Sequence, residues 1–208
     1  MNKVPKIPEK EEVSQLARWA RVAFAARCAK RVQPILERTW PDVSPEDIAV
    51  IKKAILSTED AATNARALVD LEKERMDVGK IEEVFRSYIG KQKGAAVAYF
   101  NNHVNHPAFY SLHAAYCAVC ATQEKNNTDR AWEACYCCEK MDDFTYDPAY
   151  RDELVRHIRW DFGKLQQSRW DDNTPIKPDV LGQLWDEGKE PDWDEIAKGM
   201  KRKMENTG

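Results

Sequence analysis

Glycine is scarce in this chain, at 8 of 208 residues. Collagen-like repeats, glycine-rich phosphate loops and flexible low-complexity tracts all need more of it. Charge of one sign is not in surplus either, since 32 Lys and Arg nearly cancel 35 Asp and Glu to a formal net charge of -3. That balance fits neither a disordered polyanion nor a basic nucleic-acid binder. No segment approaches the roughly 18 uninterrupted apolar residues of a membrane span. The first ten residues alternate Lys, Pro and Glu and lack the apolar core of a secretory leader. A cytoplasmic protein that avoids membranes is the resulting expectation. His-Glu-x-x-His pairs, Gly-x-Ser-x-Gly elbows and EF-hand loops are also missing, so no catalytic residue and no cofactor is assigned from motifs.

What the chain does contain is helix-forming material. Ala, Glu, Lys, Leu and Arg fill long stretches, and the length is enough to bury a core without covalent staples. From Glu11 to Arg38, Val13, Ala17, Ala20, Phe24, Cys28 and Ile35 recur every three or four residues, which predicts one long amphipathic helix bent at Pro34. Trp19, Ala23 and Ala26 lie on another side of the same wheel, which places this helix near the centre of the fold. Ser44-Pro45-Glu46-Asp47 is a helix start, with Ile48, Ile51 and Ile55 as its buried stripe. Ser57-Thr58-Glu59-Asp60 repeats the capping pattern and predicts a third helix that fades at Val78-Gly79. A fourth starts at Lys80, and the run Ala95 to Phe100 either restarts a helix or packs closely on another backbone. Pro107 opens a buried helix with almost no polar face, Ala131 to Cys138 continue the spacing, and Leu154, Val155, Ile158, Phe162 and Leu165 mark another helix after Asp147-Pro148. Helices joined by short polar turns make an all-α, antiparallel multi-helix array over 1–169.

After Trp170 the texture changes. Pro175, Pro178, Gly182, Gly188 and Pro191 disfavour regular structure, yet Trp170, Trp185 and Trp193 would each forgo about 2–3 kcal/mol if left in water. Residues 170–208 are therefore expected to wrap the helical body as part of the same globular unit and to finish in a short helix from about Asp192.

The centre of the chain is rich in sulfur and imidazole. His103, His106, His113, Cys117, Cys120, Cys135, Cys137 and Cys138 are close in sequence, and the paired spacing Cys117-x-x-Cys120 and Cys135-x-x-Cys138 is that of a four-thiolate zinc site. Both pairs fall in helical, apolar runs without knuckle glycines, where Cys is a small packing residue like its Ala neighbours. In a reducing compartment all six cysteines, Cys28 included, are expected as thiols or metal ligands, with packing favoured over metal. A nucleophilic Cys117 paired with His113 is disfavoured by the buried, neutral setting. The acids Asp142, Asp143, Asp147, Asp152 and Glu153 lie next to Arg151, Arg156, His157, Arg159 and Asp161, the pattern of a solvated helix face. Arg27 and Arg31, one turn apart beside the apolar sector, demand acidic partners on the last helix of the array or in the tail.

Charge is unevenly distributed. Arg18 to Arg31 holds five bases and no acid, whereas Asp171 to Glu195 holds nine acids and two lysines. The acidic arc can dock on the basic helix or face a basic partner.

Two stretches carry a resemblance. The run from Trp19-Ala20-Arg21-Val22-Ala23-Phe24 through Arg31-Val32-Gln33-Pro34, together with the Ala- and Tyr-rich helix at Ala114 to Ala121, resembles small all-helical immunity proteins of bacterial polymorphic-toxin systems. The tail, Trp170-Asp171-Asp172-Asn173-Thr174-Pro175-Ile176 followed by Gly182-x-Leu184-Trp185 and Pro191-x-Trp193, is similar to the C-terminal signature of bacterial proteins of unassigned function. The resemblance implies a non-enzymatic module that binds a protein partner, such as a basic toxin or effector, and transfers no catalytic residue. Trp170, Asp171, Asp172, Thr174, Trp185 and Trp193 are the candidate partner-binding residues, with core anchoring as the alternative role of the tryptophans. A zinc-supported helical protein or small enzyme using residues 103–138 is the second functional reading. Nucleic-acid binding through the basic first helix conflicts with the overall acidity.

Overall fold

The computed structural model describes residues 6–66, 71–93, 106–123, 129–145, 147–167 and 170–206. The fold is all-α, and no strand occurs among the described residues. The helices are α1 (Lys10–Ser14), α2 (Arg18–Thr39), α3 (Pro45–Asn64), α4 (Leu71–Lys93), α5 (Pro107–Gln123), α6 (Asp129–Asp142), α7 (Pro148–Gln167), α8 (Pro178–Leu181) and α9 (Trp193–Asn206). None is long and apolar enough to cross a membrane.

Helix α2 is the hub. Sixteen of its 22 residues are buried, because it packs on α5, α3 and α6 and also touches α7 and α9. Alanines at 20, 23, 25, 26 and 29 let those neighbours approach, and α5 presents Ala114, Ala115 and Ala118 in return. Small facing side chains give many dispersion contacts at little rotamer cost. The core continues through Phe24, Phe162 and Trp40, the last in edge contact with Phe85 at 4.8 Å between ring centres.

Three predicted boundaries are corrected. The helix expected to run unbroken from Glu11 to Arg38 is two helices separated at Gln15–Ala17. The freed carbonyl of Leu16 accepts from Arg21 Nη1 at 2.6 Å, and the Arg18 amide donates to Asp172 Oδ1 at 2.8 Å, so side chains from α2 and the tail satisfy the break. The helix runs on through Pro34, whose carbonyl accepts from Arg38 Nη1 at 2.9 Å.

The second correction concerns Ser57-Thr58-Glu59-Asp60, which lies inside α3. Thr58 Oγ1 donates to the Ala54 carbonyl and Ser57 Oγ to Glu74, which removes their need for a terminus. α3 ends instead at Ala65, held in the left-handed region at φ 49°. The third is the predicted break at Val78-Gly79, where α4 is continuous. A helical glycine costs only about 1 kcal/mol against alanine, and the buried Leu71, Val78, Ile81 and Phe85 outweigh it. The run Ala95 to Phe100 and His103 lie outside the described residues.

The tail wraps the helical body. The Ile176 amide donates to the Ala62 carbonyl at 2.9 Å, and Ile176, Leu181, Trp185, Trp193, Ile196 and Met200 are buried in the same apolar cluster as α2.

Candidate functional site

The tail is locked by a charge cluster that forms where α2 crosses α7. Arg27 and Arg31 project one turn apart from α2 and both donate to Asp161 Oδ2 on α7, with the Arg27 contact at 3.2 Å. All three side chains are at least nine-tenths buried. One further donor of each reaches the tail, Arg27 Nη2 to the Gln183 carbonyl and Arg31 Nη2 to the Leu184 carbonyl at 3.0 Å. The two arginines therefore find the partners their position demanded, one acid on α7 and two carbonyls in the tail.

Next to this lock the tail inserts Trp185 under Arg31, whose guanidinium lies 5.6 Å from the ring centre. Trp185 meets His157 edge-on at 5.0 Å and Trp193 at 5.8 Å, and Trp193 in turn meets Tyr150 at 6.0 Å. Trp185 and Trp193 are each 7% exposed. As contact residues they offer a partner little surface. The other candidates sit elsewhere: Asp171 and Thr174 close an exposed turn through a 2.9 Å hydrogen bond, Asp172 caps α2, and Trp170 is half-buried against the core. Backbone and hydroxyl donors from Asn173 and Thr174 hold the Asp171 carboxyl below its ordinary pKa. The six residues thus fall into a capping turn and an aromatic anchor rather than one patch.

Its surroundings disfavour the charged form of His157. Burial, Arg31 and Arg156 push its pKa below the ordinary histidine value of 6.5, and Glu153 opposes them without prevailing. His157 Nε2 lies 3.0 Å from both Arg156 Nη2, which can only donate, and Glu153 Oε1, which accepts, so it stands between a donor and an acceptor. Glu153, His157 and Asp186 could otherwise suggest a cation site, but the Arg156 guanidinium already sits among them, 2.8 Å from Asp186. A histidine whose folded pKa lies below its unfolded value contributes stability that is complete above about pH 6.5 and is lost as pH falls toward the folded pKa. The thermal midpoint of the wild type should therefore drop between about pH 7.5 and pH 5.5, and His157→Gln should flatten that drop. An equal slope in both proteins would show that other groups set it.

The cysteines are free thiols, all buried. No three of Cys117, Cys120, Cys135 and Cys138 bring their sulfurs within 4.8 Å of one another. Cys138 instead donates to the Cys28 carbonyl at 3.3 Å and to the Ala134 carbonyl at 3.5 Å, tying α6 to the hub helix. Burial pushes the Cys117, Cys120, Cys135, Cys137 and Cys138 thiols above their ordinary pKa.

The surface feature that the sequence reading passed over is Trp160. It is 59% exposed on the outer face of α7, with Lys164 5.2 Å from its ring centre. It borders an open hollow of about 510 Å³ lined also by Asp152, Glu153, Arg156 and Arg159. Both arginines are already oriented, Arg156 by Glu153 and Asp186 and Arg159 by Glu12 at 3.2 Å and the Ile7 carbonyl at 2.9 Å. Ala149 and Glu153 also line a second hollow of about 390 Å³ between α7 and α9, where Asp147, Asp192 and Glu195 face Lys189 and Arg202. The two hollows thus join into one surface, aromatic at one end and acid-rich at the other. All nine acids from Asp171 to Glu195 are exposed, and Asp172, Asp186 and Asp194 reach back to Arg18, Arg156 and Arg38.

Comparison with protein-family models, curated proteins and solved structures returned no match.

Proposed function

We propose that this chain is a non-enzymatic cytoplasmic module that binds another protein, of the immunity or inhibitor kind found in bacterial toxin and defence systems, and that its partner presents a basic surface. The observation that carries the reading is the exposed Trp160, set between pre-oriented arginines and continuous with the acid-rich hollow between α7 and α9. Trp and Arg dominate binding hot spots because they bury large areas from a fixed geometry, and pre-orientation lowers the entropy lost on association. The exposed acids of the tail supply the complementary field that steers a basic partner to that surface. The resemblance of the hub helix to immunity proteins points the same way.

The test is co-expression with the products of neighbouring genes that are toxic alone, followed by affinity measurement on the purified pair. Neutralisation with a one-to-one complex is expected. Trp160→Ala should weaken that complex by about 30-fold or more, the range of a hot-spot truncation, while its exposed position leaves the thermal midpoint nearly unchanged. Raising salt should slow association. A partner that binds the Trp160→Ala variant as tightly as the wild type would move the interface elsewhere. Failure to find any stoichiometric partner, together with turnover of a substrate, would reject the reading.

A further inference from the structure

A side-chain cluster between the two sulfur-rich helices has the chemistry of a metal site, and it differs from the four-thiolate set suggested by spacing. His113 and Cys117 stand one turn apart on α5, and Glu133 of α6 comes to meet them. One donor atom from each of the three residues lies within 4.8 Å of the other two. Cys117 Sγ donates to Glu133 Oε2 at 3.5 Å.

Two further observations point to a ligand. His113 Nδ1 is buried without an aligned hydrogen bond, its one polar contact being the ion pair with Glu82 Oε1 of α4 at 3.3 Å. Glu133 uses only one oxygen, since both Cys117 and Arg130 donate to Oε2, and Oε1 is left for another partner. An imidazole, a thiol and a carboxylate with one oxygen free of protein hydrogen bonds therefore converge between α5 and α6.

We infer that His113, Cys117 and Glu133 bind one divalent cation of the zinc type. Thiolate, imidazole and carboxylate together select a borderline-soft ion over calcium or magnesium, which prefer oxygen alone. Three protein ligands leave the fourth tetrahedral position to water. Zinc bonds of about 2.0–2.3 Å set donors about 3.3–3.8 Å apart in a tetrahedron, a spacing that Cys117 Sγ and Glu133 Oε2 already have at 3.5 Å. The side chains of His113 and Glu133 are 25% and 33% exposed, which gives them room to turn and gives the ion a way in. On binding, the S–H bond of Cys117 breaks, the sulfur–metal bond forms and the proton leaves to solvent; no electron is transferred. Glu82 and Glu133 balance the neighbouring Arg86 and Arg130, whose hydrogen bonds of 2.8 and 2.6 Å hold those carboxylates in place.

The experiment uses the full chain, stripped with chelator and titrated with cobalt(II) and then with zinc(II). One cobalt per chain is expected, with a thiolate-to-cobalt charge-transfer band and the visible bands of a tetrahedral ion, and zinc should displace it. Cys117→Ser should abolish the charge-transfer band and weaken zinc by more than the roughly 10–100-fold that loss of an outer-shell partner costs. Glu133→Gln and His113→Gln, at partly exposed positions, should weaken zinc while keeping the band, and they carry the test if the cysteine variant misfolds. Cys120→Ser and Cys135→Ser should behave as wild type. No stoichiometric cobalt binding, binding that survives Cys117→Ser, or binding that Cys135→Ser removes would overturn the assignment. The partner-binding surface at Trp160 shares none of these residues, so the two readings stand or fall separately.

Discussion

Asp161→Asn should cost about 3–5 kcal/mol, the penalty for removing one member of a buried ion cluster. The carboxylate is the shared acceptor of Arg27 and Arg31, and neither guanidinium has water to fall back on. With the charge gone, two cations face an amide that can accept only with one atom. Against a typical stability of about 5–15 kcal/mol, that loss is about a fifth of the total or more. Urea denaturation should show the midpoint falling with little change in slope. The cluster is also imperfect: Asp161 Oδ1 and Arg31 Nε are buried without hydrogen bonds. Replacing all three residues by apolar ones (Arg27→Met, Arg31→Met, Asp161→Leu) should therefore destabilise less than Asp161→Asn alone. It should not reach wild-type stability, because the Gln183 and Leu184 carbonyls would lose their donors. If the triple variant were the less stable of the two, the ions would be contributing net attraction rather than specifying where the tail docks.

Much of this arrangement was legible in the sequence, and the rest fails for identifiable reasons. Arg27 and Arg31 announced themselves because bases one turn apart beside an apolar stripe have to be paired. Their partner was harder to see, since Asp161 lies among Arg151, Asp152, Glu153, Arg156 and Arg159 and reads as one more solvated charge. A signal was present: Asp161 stands three residues after Ile158, seven after Leu154 and four before Leu165, on the buried stripe itself. The same wheel puts Trp160 off that stripe, which is how an exposed aromatic on an outer face could have been recognised. Helix boundaries were misplaced wherever a capping residue had another way to bond, as Thr58 does through the Ala54 carbonyl. Spacing alone also suggested four thiols around one ion, whereas the helical rotation of α6 turns Cys138 toward the Cys28 carbonyl and leaves Glu133 to face Cys117. Pattern within one helix is readable; which neighbour it meets depends on three-dimensional packing that periodicity does not encode.

Trp185→Ala is expected to have the second largest effect, about 3–5 kcal/mol for emptying a buried aromatic site. The indole fills the space between His157, Trp193 and Arg31, so its loss opens a cavity and exposes the imidazole and the guanidinium to water. Because the tail is held by this ring and by two arginine–carbonyl bonds, the damage should begin locally, as earlier proteolysis within 171–190 before the helical body melts. Trp185→Phe, which keeps most of the ring contacts, should recover more than half of the loss. Trp160→Ala supplies the contrast: the same truncation at an exposed site should spare stability and weaken partner binding. A binding defect in Trp185→Ala that disappears on cooling to a temperature where the tail resists protease would mark Trp185 as an anchor of the acidic surface rather than a contact within it. A defect that persists with the tail fully protected would restore the residue to the interface, and with it the reading of the tail as a recognition element.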